Sequence, residues 1–362
     1  MDFTPAEAET EASRLAARVL GAAPPSTTDF DERLWKELGN AGLLSLALST
    51  DLGGENLGAL ATAAVLTETG RHAARIPALA TLALAVLPVA RHADAPLRQR
   101  LLSGVATGET VLTAATREPS DAMPRKPVTA AAGGTVSGVK TGVPYAAVAR
   151  WILVPASTPA GTVVVVVESA SGGLSCQRTH SSSGLPEYTL RLDRTPVAAV
   201  LDGCDAAALY QFVAAGVCAV ADGAVAAALE LTTTHVRNRE QFGRPLATFQ
   251  AVAQQIADVY AAARTLHLAT VSACWRLDAG RDAGPDIDVA AYWLAEYGPP
   301  ALRTCHHLHG GLGMDISYPL PRYSALVTDL VRLIGGADDR LDRLSWRQQV
   351  RREPVAPEWA GG

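Results

Sequence analysis

The feature that most constrains the fold of this chain is a double change in composition along its length. Residues 1–108 are rich in alanine and leucine, residues 109–200 are rich in valine, threonine, serine, glycine and proline, and residues 201–350 return to long apolar stretches. Helical periodicity and short β-branched runs bounded by turn residues belong to different kinds of structure. The pattern therefore predicts an α+β chain of three domains, helical, then β, then helical, with a loose tail at 351–362.

Apolar spacing in the first domain, residues 1–108, predicts a helical bundle. The acidic residues at the start of segment 5–22 suit the positive end of a helix dipole. Segment 31–48 also predicts a helix, with a break at Gly39 or Gly42. The helices expected here cover residues 5–22, 31–48, 58–70, 76–92 and 95–107.

The middle segment, residues 109–200, predicts a small β-domain. Thr162–Val167 is a continuous apolar run, as expected of a strand buried on both faces. The number of such runs and their spacing indicate a small antiparallel barrel or sandwich. Strands are expected at 111–116, 128–132, 135–138, 152–155, 162–168 and 188–192.

Long apolar-periodic segments fill residues 201–350 and predict a four-helix bundle with one further helix at its end. The four long helices are expected at 205–236, 246–278, 286–309 and 320–333, and the terminal one at 337–350.

Bulk properties exclude several classes of function. A net charge of −5 argues against a nucleic-acid partner, because phosphate binding needs a basic face. The apolar runs are expected to be shorter than the roughly 20 residues needed to cross a bilayer, and residues 1–20 lack the apolar core of a signal peptide. We therefore expect a cytoplasmic protein without a membrane partner. Its scattered cysteines indicate reduced packing residues; they are Cys176, Cys204, Cys218, Cys274 and Cys305.

Two motifs in the third domain carry residues suited to a phosphorylated ligand. The first, Arg237–Gln250, reads RNREQFGRPLATFQ, and the second, His306–Gly313, reads HHLHGGLG and is followed by Tyr318-Pro319. An arginine offers a planar fork of donors to pyrophosphate oxygens. A glycine run allows close backbone approach to a ligand. The alternative for the first motif is an exposed turn between helices, with its charges in solvent.

In this order the two motifs resemble the flavin-binding half of the acyl-CoA dehydrogenase family, with its patterns R-x-x-F-G…F-Q and Q-x-x-G-G-x-G…Y-P. The N-terminal pattern from Trp35 to Gly54 is also similar to that family. The resemblance implies an FAD cofactor. It places Arg239 on the pyrophosphate, and it implies that such residues serve a flavin held mainly by a neighbouring subunit. The cofactor-binding residues that it implies are Arg239, Gln241, Phe242, Gln250, His307, Gly310, Gly311 and Gly313.

The segments that hold the flavin ring in this family are altered here. Thr116–Asp121 is a shortened form of the family's T-E-P-x-A-G-S-D, and Lys140–Tyr145 has Gly142-Val143-Pro144 in place of an aromatic, an aliphatic and a hydroxyl residue. Pro144 has no backbone N–H to donate to the ring. We therefore expect this chain to hold a flavin ring poorly on its own.

The catalytic carboxylate that the resemblance implies is also missing. Most of the family has a glutamate at the position of Ile334 or Gly335, and a minority has one on the first bundle helix, near Gln211–Ala214. A base is needed because α,β-dehydrogenation removes an α-proton while the flavin accepts a hydride. Asp222 and Asp329 are weak candidates, each better explained as a capping or ion-paired residue. No metal site is expected at Cys305–His309, because its histidines do not share a helix face.

The resemblance as a whole implies an acyl-CoA dehydrogenase subunit that completes the flavin site of a homologous catalytic partner in a heterotetramer. Such assemblies resemble those that act on CoA esters of steroid side chains in β-oxidation. One alternative is a self-sufficient homo-oligomeric dehydrogenase with a displaced base. Another is a non-enzymatic scaffold of the same fold. The substrate expected is an acyl-CoA, and an electron-transfer flavoprotein is a candidate electron acceptor.

Overall fold

The N-terminal domain is helical, as the sequence predicts. The computed structural model describes residues 3–24, 26 and 28–352. The segment predicted as a helix at 31–48 ends as a helix at Asn40, and the chain then turns through Gly42, whose φ is 76°. Trp35 is buried and donates from Nε1 to the carbonyl oxygen of Gly108 over 3.1 Å, which joins this domain to the next. The helices are α1 (Glu7–Ala22), α2 (Glu32–Asn40), α3 (Ala59–Arg71), a π-helical segment (Leu79–Val86) continuing into α4 (Leu87–His92), and α5 (Ala95–Leu102).

The middle domain is an eight-stranded sheet of mixed direction. Its strands are β1 (Leu112–Ala114), β2 (Ala130–Ala132), β3 (Thr135–Pro144), β4 (Trp151–Thr158), β5 (Gly161–Glu168), β6 (Leu174–Thr179), β7 (Glu187–Pro196) and β8 (Ala199–Val200). The strand order is β6-β7-β3-β2-β4-β5-β8, and β1 pairs with β4. The pairs β1–β4 and β2–β4 are parallel, so the prediction of a purely antiparallel domain was wrong. Strands β6 and β8 were not predicted.

The C-terminal domain contains the predicted helical bundle. Its helices are α6 (Ala206–Asn238), α7 (Gln250–Asp278), α8 (Gly284–His309), α9 (Leu320–Ile334) and α10 (Gly336–Arg352). Asp205 caps α6 by accepting from the Ala208 N–H over 2.7 Å. The predicted loose tail lies outside the described residues, except that 351 and 352 belong to α10.

Helix α6 forms the centre of the molecule. Glycines allow α3 to approach it closely, because a Cβ atom on Gly223 would lie 1.7 Å from the carbonyl oxygen of Thr67. By length and composition α6 could cross a membrane, so the sequence-based statement that all apolar runs are too short was wrong. Its most apolar window is 89% buried against other elements, which is typical of a core helix.

The cysteines are free thiols, and four of the five are buried as predicted. Cys176 is the exception, because it lies exposed on the edge strand β6.

Candidate functional site

The first motif forms a tight hairpin at the end of α6. Arg239 caps the helix, and Glu240–Gln241 then pairs with Arg244–Pro245 as strands β9 and β10. The two turn residues, Phe242 and Gly243, have φ values of 55° and 77°. Two consecutive positive φ values define the type I′ turn that suits the twist of a hairpin. The helix predicted at 246–278 begins at Gln250, after this hairpin.

Phe242 is the unusual residue of this hairpin. An aromatic side chain is strained at a positive φ, and this one is 92% exposed. Its ring meets the edge of Phe249 with the two ring centres 6.2 Å apart, and the Arg244 guanidinium lies 4.1 Å from the centre of the Phe249 ring. The hairpin is therefore held against the start of α7 while Phe242 itself projects into solvent.

The second motif forms a 3₁₀ turn, Gly310–Met314, at the end of α8. Gly310 has φ 59° and ψ −138°, a conformation that is essentially restricted to glycine. Gly313 is required by packing, because a Cβ atom there would lie 3.0 Å from the carbonyl oxygen of His306. Gly311 meets neither condition: its φ is not positive, and a Cβ atom added to it would meet no atom within 4 Å.

A histidine stack brings the two motifs together. The rings of His235, in the last turn of α6, and His309, in the last turn of α8, lie parallel with centres 4.4 Å apart. The ring of Tyr318 also packs against His309, with the two ring centres 5.3 Å apart. Helices α6 and α8 thus end side by side, and both motifs lie at one end of the bundle. We call the surface formed by residues 239–244, 250 and 307–316 the motif face.

His309 carries a buried acceptor without a partner. It donates from Nδ1 to the carbonyl oxygen of Cys305 over 2.8 Å, so its Nε2 atom is the unprotonated nitrogen. No donor reaches this Nε2 among the described residues, although the side chain is buried. Burial lowers the pKa of both His309 and His235, and the mutual repulsion of their charges lowers that of His235 further.

The histidine stack makes stability depend on pH. An unfolded histidine binds a proton below about pH 6.5, whereas these two resist protonation in the folded chain, so the free energy of unfolding falls as pH drops through that value. We expect His309→Phe, which keeps a ring in the stack, to reduce this loss by on the order of 1 kcal/mol between about pH 7.5 and about pH 5.5. Urea unfolding at a series of pH values measures it. The same substitution at the exposed His180 is the control; equal pH profiles of the wild type and His309→Phe would contradict the prediction.

Most of the predicted cofactor residues are exposed on the motif face. Arg239, Gln241, Gln250 and His307 are all solvent-accessible. Large apolar side chains are exposed beside them: Phe242 (92%), Met314 (77%) and Ile316 (90%). The face therefore combines cationic, hydrogen-bonding and apolar groups around open glycines. The roles of these residues in holding a cofactor remain predictions.

A second location, between the β-domain and the bundle, gathers the segments expected to hold a flavin ring. The Thr141 N–H donates to the carbonyl oxygen of Arg117 over 3.0 Å, so the two altered segments are neighbours. A Cβ atom on Gly142 would lie 2.9 Å from Nη1 of Arg117 and 3.5 Å from Nη1 of Arg332, near the end of α9. The three segments therefore meet in one place, which we call the cleft.

The cleft is filled by charged side chains of the chain itself. Nη2 of Arg332 donates to both carboxylate oxygens of Glu187, over 2.8 and 2.6 Å, and to Asp329 over 3.1 Å. Burial raises the pKa of Glu187 despite this partner. A cavity of about 70 Å³ adjoins this cluster and is lined by Pro144, Tyr145, Glu187 and Asp329 among others. Small-molecule sites usually have roughly 300–1,000 Å³, so this cavity is too small for a flavin ring.

Asp329, one of the two candidate bases, is fully engaged in this cluster. It accepts from the N–H groups of Ser182 and Ser183 over 2.9 and 2.8 Å and from the Ser183 hydroxyl over 2.6 Å. Burial opposes its ionisation, but these hydrogen bonds and Arg332 outweigh burial and lower its pKa. A carboxylate with a lowered pKa and occupied oxygens is a poor proton acceptor, so Asp329 is a structural residue.

The other positions considered for a base provide no free carboxylate either. Ile334 is completely buried, and Gly335 ends α9 with a φ of 97°. Asp222 lies away from the cleft, where its Oδ2 is 2.8 Å from Nδ1 of His267. Sequence reasoning missed Glu187, which does lie in the cleft, but both of its oxygens accept from Arg332.

The described residues contain no group of three or more histidine, cysteine, aspartate or glutamate side chains arranged to hold a metal ion. Of the clustered histidines at the end of α8, His309 stacks on His235 of α6, and His306 pairs with the Ser324 hydroxyl over 2.6 Å.

The fold and the two motifs define a class of protein that comparison with known proteins identifies. Models of the N-terminal and C-terminal domains of acyl-CoA dehydrogenases match residues 8–109 and 209–344. Acyl-CoA dehydrogenase FadE28 of Mycobacterium tuberculosis is 46% identical over 315 residues, which cover 86% of this chain and 91% of that protein. The chain therefore belongs to the acyl-CoA dehydrogenase family, whose members are oxidoreductases acting on CH–CH bonds with FAD as cofactor.

Two solved structures are similar over nearly the whole chain. One is the Tcur3481-Tcur3483 steroid acyl-CoA dehydrogenase, with a TM-score of 0.91 and 34% identity, covering 95% of this chain and 98% of that chain. The other is the ChsE4-ChsE5 complex of Mycobacterium tuberculosis, with a TM-score of 0.89 and 32% identity, covering 98% of this chain and 100% of that chain. These similarities confirm the α+β fold and the family that the sequence predicts.

Proposed function

We propose that this chain is the non-catalytic subunit of a heteromeric acyl-CoA dehydrogenase, in which its motif face completes the flavin site of a homologous catalytic subunit. The observation that carries the proposal is the contrast between its two flavin-related regions. The motif face is exposed and its Gly311 is open to close approach. In the cleft of the same chain Arg332 pairs with Glu187, and the cavity beside this pair has a volume of about 70 Å³.

The surroundings of the motif face support a protein partner as well as a cofactor. Phe242 and Ile316 are each at least 90% exposed, and Met314 is 77% exposed. Exposed apolar groups at the centre of a polar rim are typical of interfaces. The name of each similar solved structure joins two proteins, Tcur3481-Tcur3483 and ChsE4-ChsE5, and the second is named as a complex. A homologous subunit is therefore the partner that the motif face fits best.

The reaction of the assembled enzyme would be α,β-dehydrogenation of an acyl-CoA. FAD supplies the hydride acceptor, and a carboxylate must remove the α-proton. Among the described residues, the cleft carboxylates Glu187 and Asp329 are both bonded to Arg332, so the base would come from the partner. The name of one similar structure refers to a steroid enzyme, which favours a CoA thioester of a steroid side chain as substrate. We place the complex in the cytoplasm, with an electron-transfer flavoprotein as the proposed electron acceptor.

The alternative of a self-sufficient homo-oligomer with a displaced base is less favoured. It requires Asp222 or Asp329 to accept a proton from substrate. Asp329 is engaged by three donors from Ser182 and Ser183, and Asp222 lies on another side of α6, bonded to His267. The scaffold alternative does not account for Gly311, whose small size serves no purpose inside this chain.

The test is the flavin content of the protein purified alone and together with a full-length homologous subunit. We expect the chain alone to be colourless, because its cleft cannot hold the ring. We expect the co-expressed complex to contain one flavin per pair of chains and to be bleached by an acyl-CoA. The visible spectrum, flavin extraction and native mass measure these quantities.

Each alternative gives a different result in the same experiment. A yellow homo-oligomer with one flavin per chain, bleached by an acyl-CoA, would show that the chain is self-sufficient. If the homologous subunit has the same flavin content and activity with and without this chain, the chain acts as a scaffold.

A further inference from the structure

A groove remote from both the motif face and the cleft contains a buried carboxylate–imidazole pair. Asp222, in the middle of α6, is 5% exposed, and its Oδ2 lies 2.8 Å from Nδ1 of His267 on α7. His267 is half-exposed and lines two adjoining cavities, of about 460 and 510 Å³. We call these two cavities with the pair between them the dyad groove.

The groove lies beside a close contact between α3 and α6, where the side chains that surround the contact are small. Gly223 allows the contact, since a Cβ there would lie 1.7 Å from the Thr67 carbonyl oxygen. On either side Ala63, Ala64 and Ala226 leave the space between α3, α6 and α7 unfilled. Each cavity lies within the roughly 300–1,000 Å³ typical of small-molecule sites.

Apolar surface forms the larger part of the lining of both cavities. In the first cavity the apolar walls include Leu60, Val271 and Trp275. The second cavity also has several charged side chains in its lining. The titratable groups that line the groove, apart from His267, are the carboxylates Glu9, Glu68, Asp222 and Glu230, the guanidinium groups Arg71 and Arg264, and the phenol of Tyr260. Carboxylates therefore outnumber cations, and the groove disfavours an anionic ligand.

The pair itself fixes the hydrogen-bonding character of the site. An ionised carboxylate can only accept, so Nδ1 of His267 carries the proton donated to Asp222. In the neutral imidazole the Nε2 atom is then an acceptor, held in position by the buried carboxylate. Burying a carboxylate against a single half-exposed partner costs stability, which is more usual of a functional site than of a core.

Three hydroxyl groups that line the groove are hydrogen-bonded elsewhere, which argues against their serving as the nucleophile of a hydrolytic triad. Ser13 donates to Glu68 over 3.2 Å, Thr67 to the carbonyl oxygen of Ala219 over 3.2 Å, and Thr270 to that of Leu266 over 2.8 Å. A triad requires a nucleophile hydrogen-bonded to the imidazole, and none of these serves. The geometry therefore favours binding over catalysis.

We propose that the dyad groove is a binding site for an uncharged apolar alcohol, whose hydrocarbon body lies against Leu60, Val271 and Trp275 and whose hydroxyl donates to Nε2 of His267. The excess of carboxylates excludes free carboxylic acids and CoA thioesters. The site is thus distinct from the one that would take the acyl-CoA, and it does not depend on the proposed subunit function.

Equilibrium dialysis tests whether the groove binds such an alcohol. The protein is the full chain, together with its partner where the two are purified as a complex. The ligands are radiolabelled decan-1-ol, its methyl ether and decanoate. We expect saturable binding of one decan-1-ol per chain, and at least tenfold weaker binding of the ether, which cannot donate, and of decanoate, which is repelled. His267→Phe should bring the alcohol down to the affinity of the ether. His180→Phe, at an exposed site, should change neither.

A second variant keeps the test decisive if His267→Phe leaves Asp222 buried alone and prevents folding. Ala64→Leu fills part of the apolar cavity from α3 and leaves both Asp222 and His267 unsubstituted, and it should weaken binding of decan-1-ol at least tenfold. Absence of saturable binding by the wild type, equal affinity for decanoate, or unchanged binding in Ala64→Leu would each overturn the proposal. None of these outcomes bears on flavin content, which tests the subunit function separately.

Discussion

Replacing Lys140 with methionine should lower the free energy of unfolding by about 3–5 kcal/mol, because it removes one partner of a buried ion pair. Lys140 is completely buried, and its Nζ lies 2.9 Å from Oε1 of Glu118, whose side chain is 5% exposed. The carboxylate would keep the N–H donors of Val128 and Thr129, over 2.7 and 2.9 Å. We therefore expect a loss near the lower end of that range. Urea unfolding of the full chain measures it.

A second variant separates the charge from the packing. In Glu118→Gln/Lys140→Met the amide oxygen still accepts from Thr129, and no charge remains unpaired. We expect the loss relative to wild type to fall to about 1–2 kcal/mol. Lys126→Met, at an exposed position, should change stability by at most about 0.5 kcal/mol. If the double variant is as unstable as Lys140→Met alone, the unpaired carboxylate is not the cause.

The Glu118–Lys140 pair joins the two segments that have lost the family's pattern for the flavin ring. It ties Thr116–Asp121 to strand β3, on which Gly142 and Pro144 also lie. The scaffold of the ring site is therefore retained, while the residues that would contact the ring are replaced. The close match of the overall fold to solved family members agrees with this retained scaffold, and the proposal that the partner holds the flavin ring rests on the replaced residues.

Elements with a strong periodic or apolar signal were predictable from the sequence. Helix α6 was placed within two residues of its observed ends, and Thr162–Val167 forms β5, buried over most of its length. Strand β6 was missed because it is an exposed edge strand, so its residues show no alternation between a buried and an open face. The helix predicted to end at 48 stops at Asn40 because the chain adopts a left-handed turn at Gly42.

The clustered charges of the cleft were not predictable, because the residues come from distant parts of the chain. Arg117, Glu187 and Arg332 belong to three different segments, and only the packing of the β-domain on the bundle brings them together. The same is true of Asp222 and His267, which sit on successive helices of the bundle. The motif face was located by resemblance to a family pattern, since periodicity alone would have left it as a turn between helices.

Gly311 gives a direct test of what the motif face does. The substitution Gly311→Val should leave the stability of the isolated chain within about 0.5 kcal/mol of wild type, because the added side chain meets no atom and the backbone needs no positive φ. In the assembled complex the same side chain would stand where a ligand or a partner backbone has to approach closely. We expect the affinity of the complex for FAD to fall about 100-fold, which corresponds to about 2.7 kcal/mol.

The matched control is Gly172→Val, in the turn between β5 and β6. A Cβ atom there also meets nothing within 4 Å, its φ is not positive, and it lies on a different domain from the motif face. Fluorescence titration of the apo complex with FAD, together with its native mass, distinguishes the possible results. Loss of flavin with the complex intact supports direct contact between the face and the cofactor, whereas dissociation places Gly311 at the protein interface. If the affinity for FAD and the mass of the complex are both unchanged, the motif face does not contribute to the flavin site, and the scaffold alternative is favoured.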